Sequence, residues 1–268
     1  MIHRTHCALR LGDNLQHLQF LRKLAQAHVE DRFIHYAHFE YIHQLAEVVS
    51  DLPNLSVCDL ETVSDGDRLY WDMQPRPLLR SIDAWKNAGG YWEHHDDALN
   101  YGAFYVKFFH HLAQQMRLEC PIHNTADLLF DYPALRRFEF PAFDCLVINS
   151  PPKSGQLPAY DVMQMEHLVH DLAQKHRVVT TARTRLKVPC TIDRAMTVTQ
   201  IGALSRFCRY IIMVATGPCW PTFNVFNSAS VEFRLILLGS EKVELAPNTA
   251  HAANFVQARK ILQLRGIL

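Results

Sequence analysis

Apolar residues recur along this chain in two alternating patterns. Short apolar runs suited to buried strands are followed by longer stretches in which apolar positions return every three or four residues, the period of a helix. Ile2 to Leu9 predicts a first strand, and Leu15, Leu18, Leu21, Leu24 and Ala25 behind it predict a helix with one apolar face. Arg32 to Tyr36 predicts a second strand, Phe39 to Val49 a helix, and Asn54 to Leu60 a third strand. Residues 64–97 are less regular and read as a long connection with its own aromatic packing around Trp71, Trp85, Trp92 and the Gly89-Gly90 pair. Leu99 to Met116 predicts a helix with Phe104, Phe108 and Leu112 turned inward, and Pro121 to Phe140 a connector rich in turn signals.

The pattern then restarts. Asp144 to Asn149 predicts a strand, Tyr160 to about Lys175 a helix and Arg177 to Thr181 a strand. Thr197 and Thr199 can cap a helix whose apolar positions include Ile201, Leu204 and Phe207. Tyr210 to Ala215 and Val231 to Leu238 predict two more strands, and Asn248 can cap a last helix running to about Leu264. Strand–helix alternation of this kind is the mark of α/β architecture with parallel sheets. It predicts two halves, residues 1–140 and 141–268, joined near residues 135–143, with the last helix free to pack back on the first half.

Each half begins with a strand that runs into a polar, glycine-bearing segment. In the first, Arg10-Leu11-Gly12-Asp13-Asn14 reads as a turn ahead of the helix. Gly12 lets the backbone approach a ligand. Asp13 sits at the C-terminal end of the strand, near a helix N-terminus that favours a carboxylate, where it serves a ligand or simply caps the helix. In the second half Ser150-Pro151-Pro152-Lys153-Ser154-Gly155-Gln156 follows the strand. Farther on, the buried run ends in Thr216-Gly217-Pro218, whose small residues open backbone N–H groups at the strand's C-terminal edge. In α/β sheets that edge binds ligands, and phosphates favour such N–H groups.

Composition narrows the partners. The 27 basic and 27 acidic side chains cancel, so no global positive field argues for nucleic acid. Seven scattered cysteines, never in a C-x-x-C pair, predict reduced thiols in a cytoplasmic setting rather than a disulfide framework or a zinc site. The opening residues, MIHRTHCALRLGDN, lack the apolar core of a signal peptide. No run is long enough to span a bilayer, which leaves only peripheral contact with a membrane open.

Arg10-Leu11-Gly12-Asp13 at the end of the first strand resembles the entry of GT-B glycosyltransferases similar to the bacterial lipopolysaccharide heptosyltransferases. The second half resembles their donor-binding half in Asn149-Ser150 with Lys153 close behind, Thr199-Gln200-Ile201-Gly202-Ala203-Leu204, and Thr216-Gly217-Pro218. The sequence departs where the family's turn is followed by a histidine; here it is Cys219-Trp220-Pro221. The resemblance implies two Rossmann-like domains facing across a cleft, an aspartate acting on the acceptor, and a second-half turn holding the donor diphosphate.

On that basis the expected reaction moves a sugar from a nucleotide-diphosphate donor to a hydroxyl of a glycan acceptor. It is expected to be inverting and metal-independent, with no cofactor beyond the sugar nucleotide. Asp13 takes the hydroxyl proton. The charge growing on the diphosphate is met by backbone N–H groups after Thr216 and by Lys153, with Arg183 and Arg185 as alternative cations. Ser150, Ser154 and Thr216 offer hydroxyls. Trp220 stacks on the base or sugar, or is a buried structural residue. Gln200 contacts the donor or caps its helix. Asn14 and His17 line the acceptor side or are ordinary helix-surface residues.

Other signals weigh less. Asp65-Gly66-Asp67 mimics a metal-binding D-x-D but does not follow an apolar strand. His94-His95-Asp96-Asp97 puts its groups on diverging sides of a helix, and His110-His111 is similar. No G-x-G-x-x-G, Walker or G-x-S-x-G motif is present. Two other classes stay open: a different nucleotide-binding α/β enzyme such as an epimerase, and a non-catalytic module binding a glycan or a protein.

Overall fold

The computed structural model describes residues 1–7, 10–62, 79–83, 101–152, 157, 159–237 and 245–268. Asp65-Gly66-Asp67, Trp71, Trp85, the Gly89-Gly90 pair, Trp92, His94-His95-Asp96-Asp97, Lys153 and Ser154 lie outside them. The chain divides into two compact units, Met1–Tyr132 and Pro133–Leu268. The turn Pro133–Arg136 therefore belongs with the second unit, where Leu135 packs beside Gly202.

The first unit runs β1 (Ile2–Cys7), α1 (Leu11–Ala27), β2 (Arg32–Ala37), α2 (Phe39–Val49), β3 (Leu55–Asp59), β4 (Leu79–Asp83) and α3 (Tyr101–Met116). Its strands form one parallel sheet in the order β3-β2-β1-β4. β4 falls within the stretch expected to be an irregular connection. Its polar sequence, LRSID, carries little strand signal, and pairing with β1 defines it.

α1 departs from the single apolar face its spacing predicts. Asn14, Gln16, His17, Gln19 and Arg22 are buried along with its leucines. The ring of Phe20 stacks on that of Phe109 from α3 at 4.6 Å, while Arg22 reaches the end of α2, donating to Val48 O at 2.6 Å and pairing with both oxygens of Asp51. Gln19 donates to Leu129 O at 2.8 Å. With partners on several sides of the helix, Gln19 and Arg22 bond to the surrounding elements, as a buried amide or guanidinium requires.

The second unit runs β5 (Phe143–Ile148), α4 (Val162–Ala173), β6 (Val178–Thr180), α5 (Val198–Leu204), β7 (Cys208–Val214), β8 (Phe233–Leu237), β9 (Thr249–Ala252) and α6 (Phe255–Leu264). All of its strands are parallel, in the order β6-β5-β7-β8-β9. One face buries Val147, Ile212, Val214, Leu235 and Leu237 against Leu168 and Leu172 of α4 and Ala258 and Leu262 of α6. The last helix begins later than expected. Asn248 adopts a left-handed φ of 58° ahead of β9, and it is Asn254 that caps α6, accepting from the Gln257 N–H at 2.9 Å. β9 is a short edge strand whose sequence, TAHA, lacks an apolar run.

Strand order identifies the ligand-binding edge of each unit. Parallel sheets take ligands outside the carboxyl ends of their strands, at the point where the strand order reverses. In the first unit the chain winds from β1 to β2 to β3 and then crosses to β4 on the far side of β1, so the reversal lies between β1 and β4. In the second it winds from β5 to β6 and crosses to β7, so the reversal lies between β5 and β7.

Candidate functional site

At the first reversal, β1 ends at Cys7 and α1 begins at Leu11. Gly12 and Asp13 are thus inside the first helical turn rather than in a turn ahead of it. Asp13 is the third helical residue, and its carboxylate accepts the Arg10 backbone N–H at 3.2 Å. The capping role is realised, and it occupies one carboxylate oxygen. Burial pushes the Asp13 carboxyl up to about 6, against the opposing pull of its backbone hydrogen bonds and of the Arg10 charge. A base with a proton affinity near neutrality is suited to proton transfer at physiological pH.

Asn14 and His17 are not at the helix surface; both side chains are buried in the first unit. The Asn14 amide donates to Arg10 O at 3.0 Å, which leaves its oxygen 3.0 Å from His35 Nε2. His35 therefore carries its proton on Nε2, and the Thr5 hydroxyl donates to Nδ1 at 2.9 Å. His17 packs against Phe108 and Phe109, with ring centroids 5.8 and 6.1 Å away. Burial, with a smaller push from His6, lowers His17 to about 3. Burial, then His17 and His6, likewise hold His35 well below its ordinary value.

At the second reversal, β5 delivers Asn149 and Ser150. Asn149, quoted in the sequence only as part of the Asn149-Ser150 motif and given no role of its own, ties this edge together. Its side-chain oxygen accepts the backbone N–H groups of Thr181 at 3.0 Å and Ala182 at 2.7 Å, and its amide donates to Ala182 O at 3.1 Å. Its position, a polar residue ending the apolar run DCLVIN, and the Asn149-Ser150 resemblance pointed to the edge but not to this bonding. The Ser150 hydroxyl lies 2.9 Å from the Thr181 hydroxyl. Arg183, beyond β6, is largely exposed and pairs with Asp193 at 2.7 Å, which leaves its terminal nitrogens for other partners.

β7 delivers Thr216, Gly217 and Pro218, all half-buried. The Thr216 N–H bonds back to Val214 O at 2.7 Å, and Thr216 O accepts the Cys219 N–H at 2.8 Å as the chain enters a 3-10 turn, Gly217–Thr222. Gly217 makes its turn with an ordinary negative φ; among the described glycines the positive φ belongs to Gly266. Trp220 is buried with its ring 6.3 Å from that of Phe223, so the structural reading holds and its face is not open for stacking. Burial raises the Cys219 thiol to about 12, which removes it as a nucleophile at neutral pH.

Thr199 is fully buried in α5. Gln200 caps the same helix: its side-chain oxygen accepts the Thr197 N–H at 2.9 Å, while the Thr197 hydroxyl oxygen accepts the Gln200 N–H at 3.3 Å. Among the described residues no three of His, Cys, Asp or Glu are grouped to hold a metal ion, and no helix is long and apolar enough to cross a membrane.

Comparison of the whole chain with solved structures gives near-complete matches, three of them as follows. Heptosyltransferase WaaC of E. coli, solved with ADP-2-deoxy-2-fluoro heptose, aligns with a TM-score of 0.60 over 99% of each chain at 11% identity. E. coli ADP-heptose lps heptosyltransferase II aligns at 0.58 over 100% of this chain and 98% of that one, at 11% identity. The glycosyl transferase family 9 protein of Veillonella parvula aligns at 0.57 over 99% and 89%, at 10% identity.

The chain has the GT-B fold.

No protein-family model and no curated protein matches by sequence. The segments after β1, β5 and β7 are therefore the strand-edge segments of a GT-B chain. The sequence picked all three from local composition, and strand order puts each at a reversal point. Of the residues expected there, Asp13, Ser150, Thr216 and Gly217 lie on these edges with groups to offer a ligand, and Pro218 lies there with no N–H to donate. Gln200 and Trp220 are committed to capping and packing.

Proposed function

We propose that this protein is a glycosyltransferase that moves a sugar from a nucleotide-diphosphate donor to a hydroxyl of a glycan acceptor. The observation that carries the reading is the coincidence of a GT-B fold with a carboxylate of raised proton affinity at the first strand reversal. WaaC, a protein of the same fold, was solved with a nucleotide sugar analogue, which supports the donor class.

In this reading Asp13, largely ionised at pH 7, takes the proton of the acceptor hydroxyl as that oxygen attacks the anomeric carbon. The bond from that carbon to the donor diphosphate breaks, and the electron pair leaves with the diphosphate. Attack from the face opposite the leaving group inverts the anomeric centre. The Thr216 and Ser150 hydroxyls, the Gly217 backbone N–H, and Lys153 meet the charge on the leaving group without a metal. Asn14, through Arg10 O, steadies the helix start that carries Asp13.

The test is release of nucleoside diphosphate from a panel of UDP-, GDP- and ADP-sugars with glycan acceptors, with and without EDTA, for the native chain and Asp13→Asn. Native turnover that survives EDTA and falls at least a hundredfold in the variant is expected. Full activity in Asp13→Asn removes that residue's role. A product that is an isomerised sugar nucleotide identifies an epimerase instead.

A further inference from the structure

Beneath the turn after β7 lies a cation that no carboxylate of the described residues neutralises. Arg234, on β8, is 1% exposed. It stands opposite Ile211 of β7, on the sheet face away from Phe233 and Leu235, which join the core against α4 and α6. One terminal nitrogen donates to Asn227 Oδ1 at 2.9 Å, and the guanidinium lies 5.9 Å from the Phe223 ring centroid. Its Nε and Nη1 have no hydrogen-bond partner among the described residues. Burial lowers the guanidinium to about 10. An isolated buried charge is unfavourable by itself, so its presence asks for a function.

The bonds around it lead to the candidate donor edge. Asn227 donates to Thr222 O at 2.7 Å and to the Ser205 hydroxyl at 2.6 Å. Asn224 donates to Pro221 O at 2.7 Å and to Gly202 O at 3.3 Å. Arg234, Asn227 and Asn224 thus fasten the turn Gly217–Thr222 to α5, behind Thr216 and Gly217.

We propose that Arg234 is a positioning residue of the donor site, which holds the Gly217–Thr222 turn through Asn227 and whose unneutralised charge favours a bound diphosphate there. This rests on the reading of the site given above. Ile211 is three residues before Val214, the last of β7, so the charge lies roughly 10 Å below the edge. Across that distance in a protein interior, a unit charge changes the binding constant of an anion on the order of tenfold.

The experiment measures binding of inorganic pyrophosphate and of UDP, GDP and ADP, by calorimetry and thermal shift, for the native chain, Arg234→Met and Arg234→Lys. Amide exchange of residues 219–223 is followed in parallel. Arg234→Met is expected to melt near the native temperature, because removing a buried charge that no described carboxylate neutralises offsets the lost hydrogen bond to Asn227. It is expected to bind pyrophosphate about tenfold more weakly, with faster exchange in the turn. Arg234→Lys, which keeps the charge, is expected to stay within about threefold of native. A purely structural arginine would lower stability and binding together, so a Met variant that melts early or fails to fold overturns the proposal. So does a Met variant that binds as the native chain does, or a native chain that binds no pyrophosphate. Native binding of a nucleoside diphosphate matched by the Met variant defeats this inference and leaves the functional reading intact. Arg234-dependent binding of pyrophosphate, with no response to any nucleotide, sinks the functional reading and leaves this one.

Discussion

The Asp13 carboxylate accepts the backbone N–H of Arg10 at 3.2 Å, so the candidate base is also the residue that closes the first turn of α1. Its raised value of about 6, against 3.8 for an ordinary aspartate, has two consequences that run in opposite directions. For activity, the base works only when ionised. The acidic limb of kcat/KM should rise with pH through an inflection near 6, and the limb should vanish in the residual activity of Asp13→Asn.

For stability, a carboxyl that holds its proton more tightly folded than unfolded contributes stability below the unfolded value, and that contribution is lost as pH rises from about 4 through about 6. Asp13→Asn is therefore expected to be more stable than the native chain at pH 7 by up to about 2 kcal/mol, and no more stable at pH 4. Denaturant melts of both proteins at the two pH values check this, and a variant that is less stable at pH 7 would contradict it.

His17 and His35 act on the acid side with the reverse sign. Both are buried neutral, and His17 lies at about 3 against an ordinary 6.5. A base with a depressed folded value contributes stability that is complete above about 6.5 and lost as pH falls towards 3. Melting temperature should drop steeply below pH 6. His17→Leu should flatten that slope, because its part is on the order of 3 kcal/mol when the surroundings relax partially. An unchanged pH slope in the variant would show that His17 titrates normally.

Gly202 marks a close approach between α5 and its neighbours in the second unit. A Cβ there would stand 2.7 Å from Leu135 Cδ2, 2.7 Å from Pro221 Cβ and 2.8 Å from Pro221 O. The leucine tip can move, but the proline turn cannot without shifting the segment behind Thr216. Gly202→Ala is expected to destabilise by about 2–3 kcal/mol and to weaken pyrophosphate binding with it. Equal stability by urea melts would mean that α5 and the proline turn part more easily than their contacts indicate.

The Asn149 side chain bonds to Thr181 and Ala182, accepting from both backbone N–H groups and donating to Ala182 O. Asn149→Ala leaves those groups without their partner and is expected to lower stability by about 3 kcal/mol. Asn149→Asp keeps the acceptor oxygen but sets its second oxygen against Ala182 O, and should recover part of it. If alanine and aspartate cost the same, the accepting role is wrong.

Much of this protein is legible in its sequence because strands and helices are coded locally. Apolar runs such as Tyr210 to Ala215 and three-to-four spacing such as Leu15 to Ala25 follow from the geometry of one element, and they predict α/β architecture in two halves. Thr197 as a helix cap and the polar segments after β1, β5 and β7 are equally local signals. What the tertiary structure decided depends on partners far along the chain. β4 and β9 are strands because a neighbour pairs with them, although LRSID and TAHA carry no buried-strand pattern. Asn14 and His17 read as helix-surface residues, but α1 is packed on several sides and both are buried. The order of strands placed Asp13 and Thr216 at reversal points, and Arg234 drew no attention until the fold buried it beside Asn227. Hydrophobic periodicity reports which side of an element is apolar; burial, strand order and proton affinity come from what the folded chain brings against it.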